Sequence, residues 1–523
     1  MSSTKNYVTP NMKILMVKRL LELFDTNLNA YLPQANRTVV YAAIGQQLPW
    51  NDGTEVVPTP TQTTKDIYNY YIKAIAAKKV KYNDVAFVIP RRNWKSGTVY
   101  RQYDCSCNLM DILMDFYVIN SDDQVFKCLY NNSGTASTEE PLLSISTTSL
   151  EEPYFETNDG YKWKYMYTIS SAQKQKFMTE DWMPVFTNKF VKSAAVSGGI
   201  DIVKITNAGN NYTSGSLQDI ITIDGDGTGG VLKANVSVGT RYLSGTANVS
   251  NLSISVSGTG TYFLANTYVG DNLTINGENK TVISITSNTS MSVDSVFDAS
   301  ANNVLLSKSG GQVVDIIIQN RGSGYTYANV AITDVSGGIG SGASAVVSAG
   351  PQDGHGYDSV YELYAKTLMI TVDIDRDELG LFPTDNDFRQ VFLIQNPYQY
   401  GTTSLCFDNI YTLYTQVKVS PGIGDYSLDE RVYQGDTYEN ASYTADVISF
   451  DGVSNILYLN NVRGTLATNQ ILKGLLSGST RVAVSKTNPT MQPYSGKVLY
   501  VSSRERTQRD SDQTDKLRFL LSL

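Results

Sequence analysis

The sequence predicts a mainly β protein with a minor α component near its N-terminus, assembled from several sandwich-like or barrel-like modules. Three observations carry this. Helical periodicity is confined to the first eighty residues. From about residue 84 the apolar residues fall in short alternating runs between turn signals. A long Gly-, Ser-, Thr- and Asn-rich stretch, 195–350, contains an internal repeat. A length of 523 residues suggests roughly three to five domains.

At the start, Ile14, Val17, Leu21, Phe24 and Leu28 recur at three- and four-residue steps behind Thr9-Pro10, a helix start signal. Residues 51–62 form a Pro-punctuated loop. A second helix is predicted over 63–80, capped by Thr63, with Asp66 near its start and Lys78 and Lys79 near its end, as the helix dipole prefers. Val85 to Ile89 then read as a strand ending at Pro90, and 111–130 and 161–169 are strand-rich. In the repeat, Lys204-Ile-Thr-Asn207-Ala-Gly209-Asn-Asn-Tyr212-Thr213 matches Ile317-Ile-Gln-Asn320-Arg-Gly322-Ser-Gly-Tyr325-Thr326 at a spacing of 113 residues. Gly225, Gly227 and Gly229 fall on Gly338, Gly340 and Gly342. Each copy reads as strand, turn with a Tyr, strand, glycine turn, strand. Between the copies, Leu252, Ile254 and Val256 alternate with Ser, and Leu273 and Ile275 run into the hairpin signal Asn276-Gly277 before Val282 to Ile285. A further β-module spans 432–487, with Ala445 to Phe450, a turn at Asp451-Gly452 and Ile456 to Val462. Lys497 to Ser502 and Leu517 to Leu523 end the chain in strand-like runs.

Composition excludes several functions. The chain carries 42 Lys+Arg against 50 Asp+Glu, a net charge of −8, which argues against a nucleic-acid partner, since phosphate binding needs dense cations. His355 is the one histidine, so a His-ligated metal cluster within one chain is excluded. Cys105, Cys107, Cys128 and Cys406 are too few for a disulfide scaffold of this size and read as free thiols of a reducing cytoplasm. The opening residues do not read as a signal peptide, and no apolar run is long enough to span a membrane. Tyr, at 35 residues, outnumbers Phe at 16 and Trp at 4, which suits surfaces that become interfaces.

Four stretches invite a chemical reading. Gly225-Asp-Gly227-Thr-Gly-Gly230 formally matches the dinucleotide fingerprint, and Gly338-Ile-Gly340-Ser-Gly-Ala343 nearly does. Both are followed by strand-favouring residues rather than a helix, so they read as repeat-defining turns without a cofactor. Asp373-Ile-Asp375-Arg-Asp377-Glu378 resembles the head of a calcium loop but has Glu378 and Thr384 where Gly and Glu are required, so it reads as a solvated turn and not a metal site. His355 lies in Gly354-His355-Gly356, a flexible setting for a catalytic base. Tyr161, Trp163, Tyr165 and Tyr167 share one face of a strand, either as core or as a subunit interface; Tyr68, Tyr70, Tyr71, Tyr398 and Tyr400 add to the aromatic count. No catalytic, cofactor or metal residue is assigned.

Several segments together resemble a known family: Val40-Tyr-Ala-Ala-Ile-Gly45 with Pro49-Trp50-Asn-Asp52 and Pro58-Thr-Pro60; the run from Asp84 to Trp94; Tyr117-Val-Ile-Asn120 with Val125-Phe-Lys-Cys-Leu-Tyr130-Asn-Asn132; and Asp159-Gly-Tyr-Lys-Trp-Lys-Tyr-Met-Tyr-Thr168 with Phe177-Met-Thr and Trp182-Met-Pro184 behind it. Asn386-Asp-Phe-Arg-Gln390, Gly496-Lys-Val-Leu-Tyr500, Arg504-Glu-Arg506 and Asp512-Gln513 fit too. The set resembles the dimeric baseplate wedge subunit of contractile-tailed bacteriophages, the "gene-product-eight" type, over about 35–190, 360–430 and 490–523. The resemblance implies a non-enzymatic virion protein of the tail baseplate, made in the host bacterial cytoplasm. It would pair with itself as a homodimer and bridge other wedge subunits during assembly and sheath contraction, with no nucleic-acid or membrane partner. The organisation expected is a family-like α+β core that opens with residues 1–190; an inserted, removable β-arm 195–350, with repeat copies 195–239 and 311–350 around a module 245–300; a core continuation 351–431; an inserted module 432–487; and a C-terminal return 488–523. The inserts would reach tail-fibre or rim proteins. The competing reading is a tail-associated carbohydrate-binding or depolymerising protein.

Overall fold

Thr9 starts the first helix as its spacing predicts. In the computed structural model, which describes residues 8–24, 38–50, 56–104, 115–210, 212, 215–217, 220–334, 340–376, 378, 380–384, 386–510 and 512–522, this helix runs Pro10–Glu22 and the Thr9 hydroxyl accepts from the Met12 amide. Ile14, Val17 and Phe24 are buried as expected, Leu21 is half-buried, and Leu28 lies outside the described residues. The described residues form 32 strands and few helices, a mainly β protein.

The second helix is shorter than predicted. Thr63 caps it and Asp66 sits in its first turn, but it ends at Ile72, and Ala74–Lys79 is a strand. That strand lies between Val40–Gly45 and Ile410–Thr412, and Ala74, Ile75, Ala76 and Ala77 are fully buried. Burial of the Ala74–Ala77 stretch between two strands outweighs the strong intrinsic helix preference of an Ala- and Lys-rich segment. Lys78 and Lys79 therefore cap no helix. Lys78 pairs with Glu378, and Lys79 Nζ donates to the Phe407 carbonyl at 3.0 Å.

The chain divides into two units, Met1–Arg91 with Ser170–Val185 and Leu363–Leu523, and Arg92–Ile169 with Phe186–Glu362. The expected opening segment of the core, 1–190, is thus shared between both, because 92–169 carries its own aromatic core. The first unit holds an antiparallel five-stranded sheet in the order Ile410–Thr412, Ala74–Lys79, Val40–Gly45, Asn386–Gln395, Lys497–Arg509. It also holds a four-stranded sheet of Thr514–Ser522, Thr367–Asp375, Val85–Pro90 and Trp182–Pro184. Its third component is a closed six-stranded barrel. The module expected at 432–487 is this barrel, but its first strand, Thr415–Val419, precedes the expected boundary and pairs with both Ile456–Gly464 and Thr480–Thr487 to close it. Closure removes the sheet edges, and no local sequence signal reports which distant strand completes the ring.

The second unit contains the repeat, and its two copies are interlocked. The first strand of copy one, Ile200–Asn210, pairs with the third strand of copy two, Ser341–Ala349; reciprocally, the third strand of copy one, Thr228–Tyr242, pairs with Leu306–Ser323. The registers superpose at the spacing of the sequence repeat. Ala343 opposite Ala208 corresponds to Gly230 opposite Arg321, and Ala349 opposite Ile200 to Val236 opposite Val313. The bulges also correspond: those after Ser344 and Ser348 match those after Val231 and Asn235. Each copy therefore completes the other, giving a pseudo-twofold pair whose shared core includes Ile200, Tyr212, Leu232, Val313, Tyr325 and Val347.

The recurring Tyr and Gly now have a physical role. The Ala343 amide donates to the Tyr212 hydroxyl at 3.2 Å, and the Gly230 amide donates to that of Tyr325 at 3.3 Å. A Cβ on Gly340 would lie 2.6 Å from the Tyr212 ring, and one on Gly227 2.4 Å from the Tyr325 ring. Gly227 and Gly340 make room for a buried Tyr, and strands follow both glycine turns as predicted. Gly340→Ala should lower stability by about 1–3 kcal/mol through overpacking, read by thermal unfolding, whereas Gly452→Ala, whose added Cβ meets nothing closer than 3.7 Å, should leave the midpoint unchanged.

The small module sits at the tip of the Thr228–Tyr242 and Leu306–Ser323 pair, where the Leu243 amide donates to the Leu306 carbonyl at 2.8 Å. Asn276 and Gly277, at φ +54° and +77°, make the predicted two-residue hairpin between Asn272–Ile275 and Glu278–Ser287. The alternation at Leu252 and Ile254 is not strand. Leu252 is 76% exposed at φ +59°, and the strand begins at Ser255.

Candidate functional site: a buried ion cluster

Strands Gln124–Asn131 and Tyr161–Thr168 pair antiparallel with Lys127 directly opposite Lys164. Both lysines are buried. Like charges at opposed positions repel, and burial of either without a counter-ion is expensive. Two acids answer them, all within the second unit. Glu362, ending the short helix Ser359–Glu362, places Oε2 at 3.0 Å from Lys127 Nζ, and its Oε1 accepts from the Gly356 amide at 2.6 Å. Asp201, at the start of Ile200–Asn210, pairs with Arg321. Lys164 Nζ donates to the Glu152 carbonyl at 2.8 Å.

His355 completes the group, and its setting corrects the sequence reading. It is 3% exposed and rigidly held rather than flexible. The flanking glycines serve close approach: a Cβ on Gly354 would lie 2.5 Å from the Val196 amide nitrogen, and one on Gly356 2.3 Å from Val191 Cγ1. Lys127 Nζ lies 3.1 Å from His355 Nδ1. An ammonium can only donate, so Nδ1 accepts and the ring proton sits on Nε2, which faces Asp201 Oδ2 at 3.8 Å. The Tyr103 ring meets the imidazole edge-on at 4.6 Å and carries Lys127 Nζ 4.2 Å from its centroid.

The electrostatics follow from this packing. Burial first, then the Lys127 charge, hold His355 below its ordinary value, so it is neutral. Burial alone would raise Glu362, but the charge and hydrogen bond of Lys127 outweigh it and hold the carboxyl down, at about 2. Burial, reinforced by Arg321, brings Lys164 down to about 8. A sealed Lys–His–Glu group can fix three chain segments to one another. It offers no route for a substrate to a base that is itself 3% exposed.

The other sequence-flagged stretches are also built into the scaffold. Tyr161, Trp163 and Tyr165 join the core with Tyr100, Phe126 and Cys128, Tyr161 and Trp163 stacking at 5.4 Å, and Tyr167 is buried against Phe186. Of the two readings offered for this strand face, core and subunit interface, the core reading is the one the structure takes. Tyr68, Tyr398 and Tyr400 are exposed, whereas Tyr70 and Tyr71 are core. In the acidic run, Glu378 Oε1 accepts from the Asp375 amide at 2.9 Å and pairs with Lys78, closing a turn; Asp377 lies outside the described residues. Among the described residues no three His, Cys, Asp or Glu side chains are grouped to hold a metal ion. Cys128 and Cys406 are buried free thiols, and Cys105 and Cys107 lie outside the described residues.

Lys127, Lys164, Asp201, Arg321 and Glu362 were not singled out by the sequence reading. Strand alternation gave no signal for Lys127 and Lys164: they lie on the face opposite Tyr161, Trp163 and Tyr165, where a solvent-facing lysine is the ordinary expectation, and only the sheet's surroundings bury them. No protein-family model matches the chain, and no curated protein matches it either.

Proposed function

We propose that the chain is a structural component of a phage tail baseplate, a homodimeric wedge subunit that bridges neighbouring wedge proteins during assembly and sheath contraction. The observation that carries this reading is the fate of its chemistry-bearing side chains. The one histidine and its charged neighbours are sealed into an ion cluster that ties strands together, which suits a load-transmitting bracket. The segment most similar to the wedge family, Asp159 to Thr168, supplies the central strand of that assembly. Closely packed sheets switch at their interfaces rather than deforming continuously, so such a bracket keeps its fold while its neighbours rearrange around it. The arm and the barrel would supply further contacts to fibre or rim proteins.

Two measurements test this. Sedimentation of the purified chain at high micromolar concentration should show a dimer, and antibody against the chain should label the baseplate of intact particles. A strict monomer that is absent from purified tails overturns the proposal.

A further inference from the structure

In the first unit, a cleft of about 420 Å³ opens between the loop 380–384 and one side of the six-stranded barrel. We infer that this cleft is a binding site for a neutral saccharide ring, presented on the barrel between Tyr458 and Asp451.

Both walls are held in place before any ligand arrives. On the loop side, Arg509 is fully buried, donates to the Pro383 carbonyl at 3.1 Å, pairs with Asp515 at 2.7 Å and lies over the Phe382 ring at 5.5 Å. On the barrel side, the Tyr458 ring is fixed edge-on by Tyr414 at 5.4 Å, while Phe450, next to Ser449 on the neighbouring strand, turns its ring the other way against the barrel core beside Tyr426 and Arg481. A rigid aromatic wall binds without the entropic loss of ordering side chains.

The lining selects the ligand class. It includes Tyr458, Ser449 and Asp451 from the barrel, Thr384 from the loop and Leu428 at the rim, with no lysine or arginine. With no cation in the lining, and with Arg509 and Arg481 behind it already paired to Asp515 and Asp425, phosphate and carboxylate ligands are disfavoured beside Asp451. Asp451 accepts from the Val453 and Ser454 amides through Oδ1 and from the Ser454 hydroxyl through Oδ2. A carboxylate has about four acceptor positions, so roughly one remains. That suits a single ligand hydroxyl and is too few for the two-pronged grip of a guanidinium. A pyranose has the matching character, with an apolar C–H face for the Tyr458 ring and hydroxyls that both donate and accept. The volume lies within the ordinary range for small-ligand pockets, about 300–1,000 Å³. This assignment does not depend on the baseplate reading.

The test is saturation-transfer NMR on the full chain with glucose, galactose, mannose and N-acetylglucosamine, each at millimolar concentration. Transfer to the ring protons of at least one sugar is expected. Leu428→Trp, at a rim position 50% exposed, should block the cleft and weaken that sugar at least tenfold without moving the melting midpoint. Tyr458→Phe, which keeps the ring, should weaken it less than Leu428→Trp. Absence of transfer from all four sugars overturns the inference, and so does transfer undiminished by Leu428→Trp.

Discussion

Glu362→Gln should destabilise the second unit by about 3–5 kcal/mol, the usual consequence of leaving one partner of a buried ion pair charged and alone. Lys127, 1% exposed at its side chain, would keep its charge with only the Tyr103 face and His355 Nδ1 beside it. The double variant Lys127→Met, Glu362→Gln should recover much of the loss, since it removes the stranded charge along with its partner. The pH profile carries a second signature. Glu362 is depressed from 4.5 to about 2, so its contribution is fully present above pH 4.5 and is lost as the pH falls toward 2; it amounts to about 3 kcal/mol. His355 is depressed below 6.5, so its contribution is present above that value and is lost as the pH falls below it. Both act in the same direction. Stability should begin to fall near pH 6.5 and fall more steeply below 4.5, and Glu362→Gln should shrink the lower limb, leaving the share of other depressed carboxylates such as Asp159. Urea unfolding across pH 3–8 measures this, and a flat wild-type profile would show that the cluster is not coupled to folding. His355→Ala, harmless if the histidine sat in a flexible loop, should instead be destabilising, because it opens a cavity beside Lys127.

Removal of the whole arm and removal of its tip should differ sharply. Replacing 244–305 with Asn-Gly joins Leu243 to Leu306, which are already hydrogen-bonded neighbours, and leaves an ordinary hairpin. The module takes most of its own core with it, including Leu273, Val282, Met291 and Phe297, and leaves only Leu243 and Leu306 of that core at the new hairpin. Lys308, paired with Asp271 at 3.2 Å, would be left facing solvent. The remaining protein should keep its stability within about 1 kcal/mol. Excising 200–349 also joins neighbours, since the Gly350 amide donates to the Gly199 carbonyl at 2.9 Å. That cut, however, removes Asp201 and Arg321. Lys127 and Lys164 would then share one carboxylate, Glu362, and the protein should lose several kcal/mol or fail to accumulate in soluble form. Equal melting midpoints for the two deletions would falsify the claim that the arm is joined to its unit through the ion cluster.

What the residues determined by themselves was mostly local. The Thr9 and Thr63 caps, the Asn276-Gly277 turn and the repeat of Asn, Gly and Tyr follow from short-range rules: a cap oxygen near an amide, a positive φ, a period of two. The repeat was legible because its two copies meet the same demands at Tyr212 and Tyr325. Tertiary structure decided what depends on a distant partner. Ala74–Lys79 became strand because two other strands cover it. The barrel drew in Thr415–Val419 because closure needs a sixth strand. The repeat copies exchanged strands because neither can complete its sheets alone. His355 changed most between the two levels. Its flanking glycines read as freedom in one dimension, while in three dimensions they are the absence of side chains that would collide with Val191 and Val196. Of its partners, Glu362 is near in sequence, but Lys127 and Asp201 lie far along the chain, and charge pairing at such separations is set by which strands lie side by side, information that no local window contains.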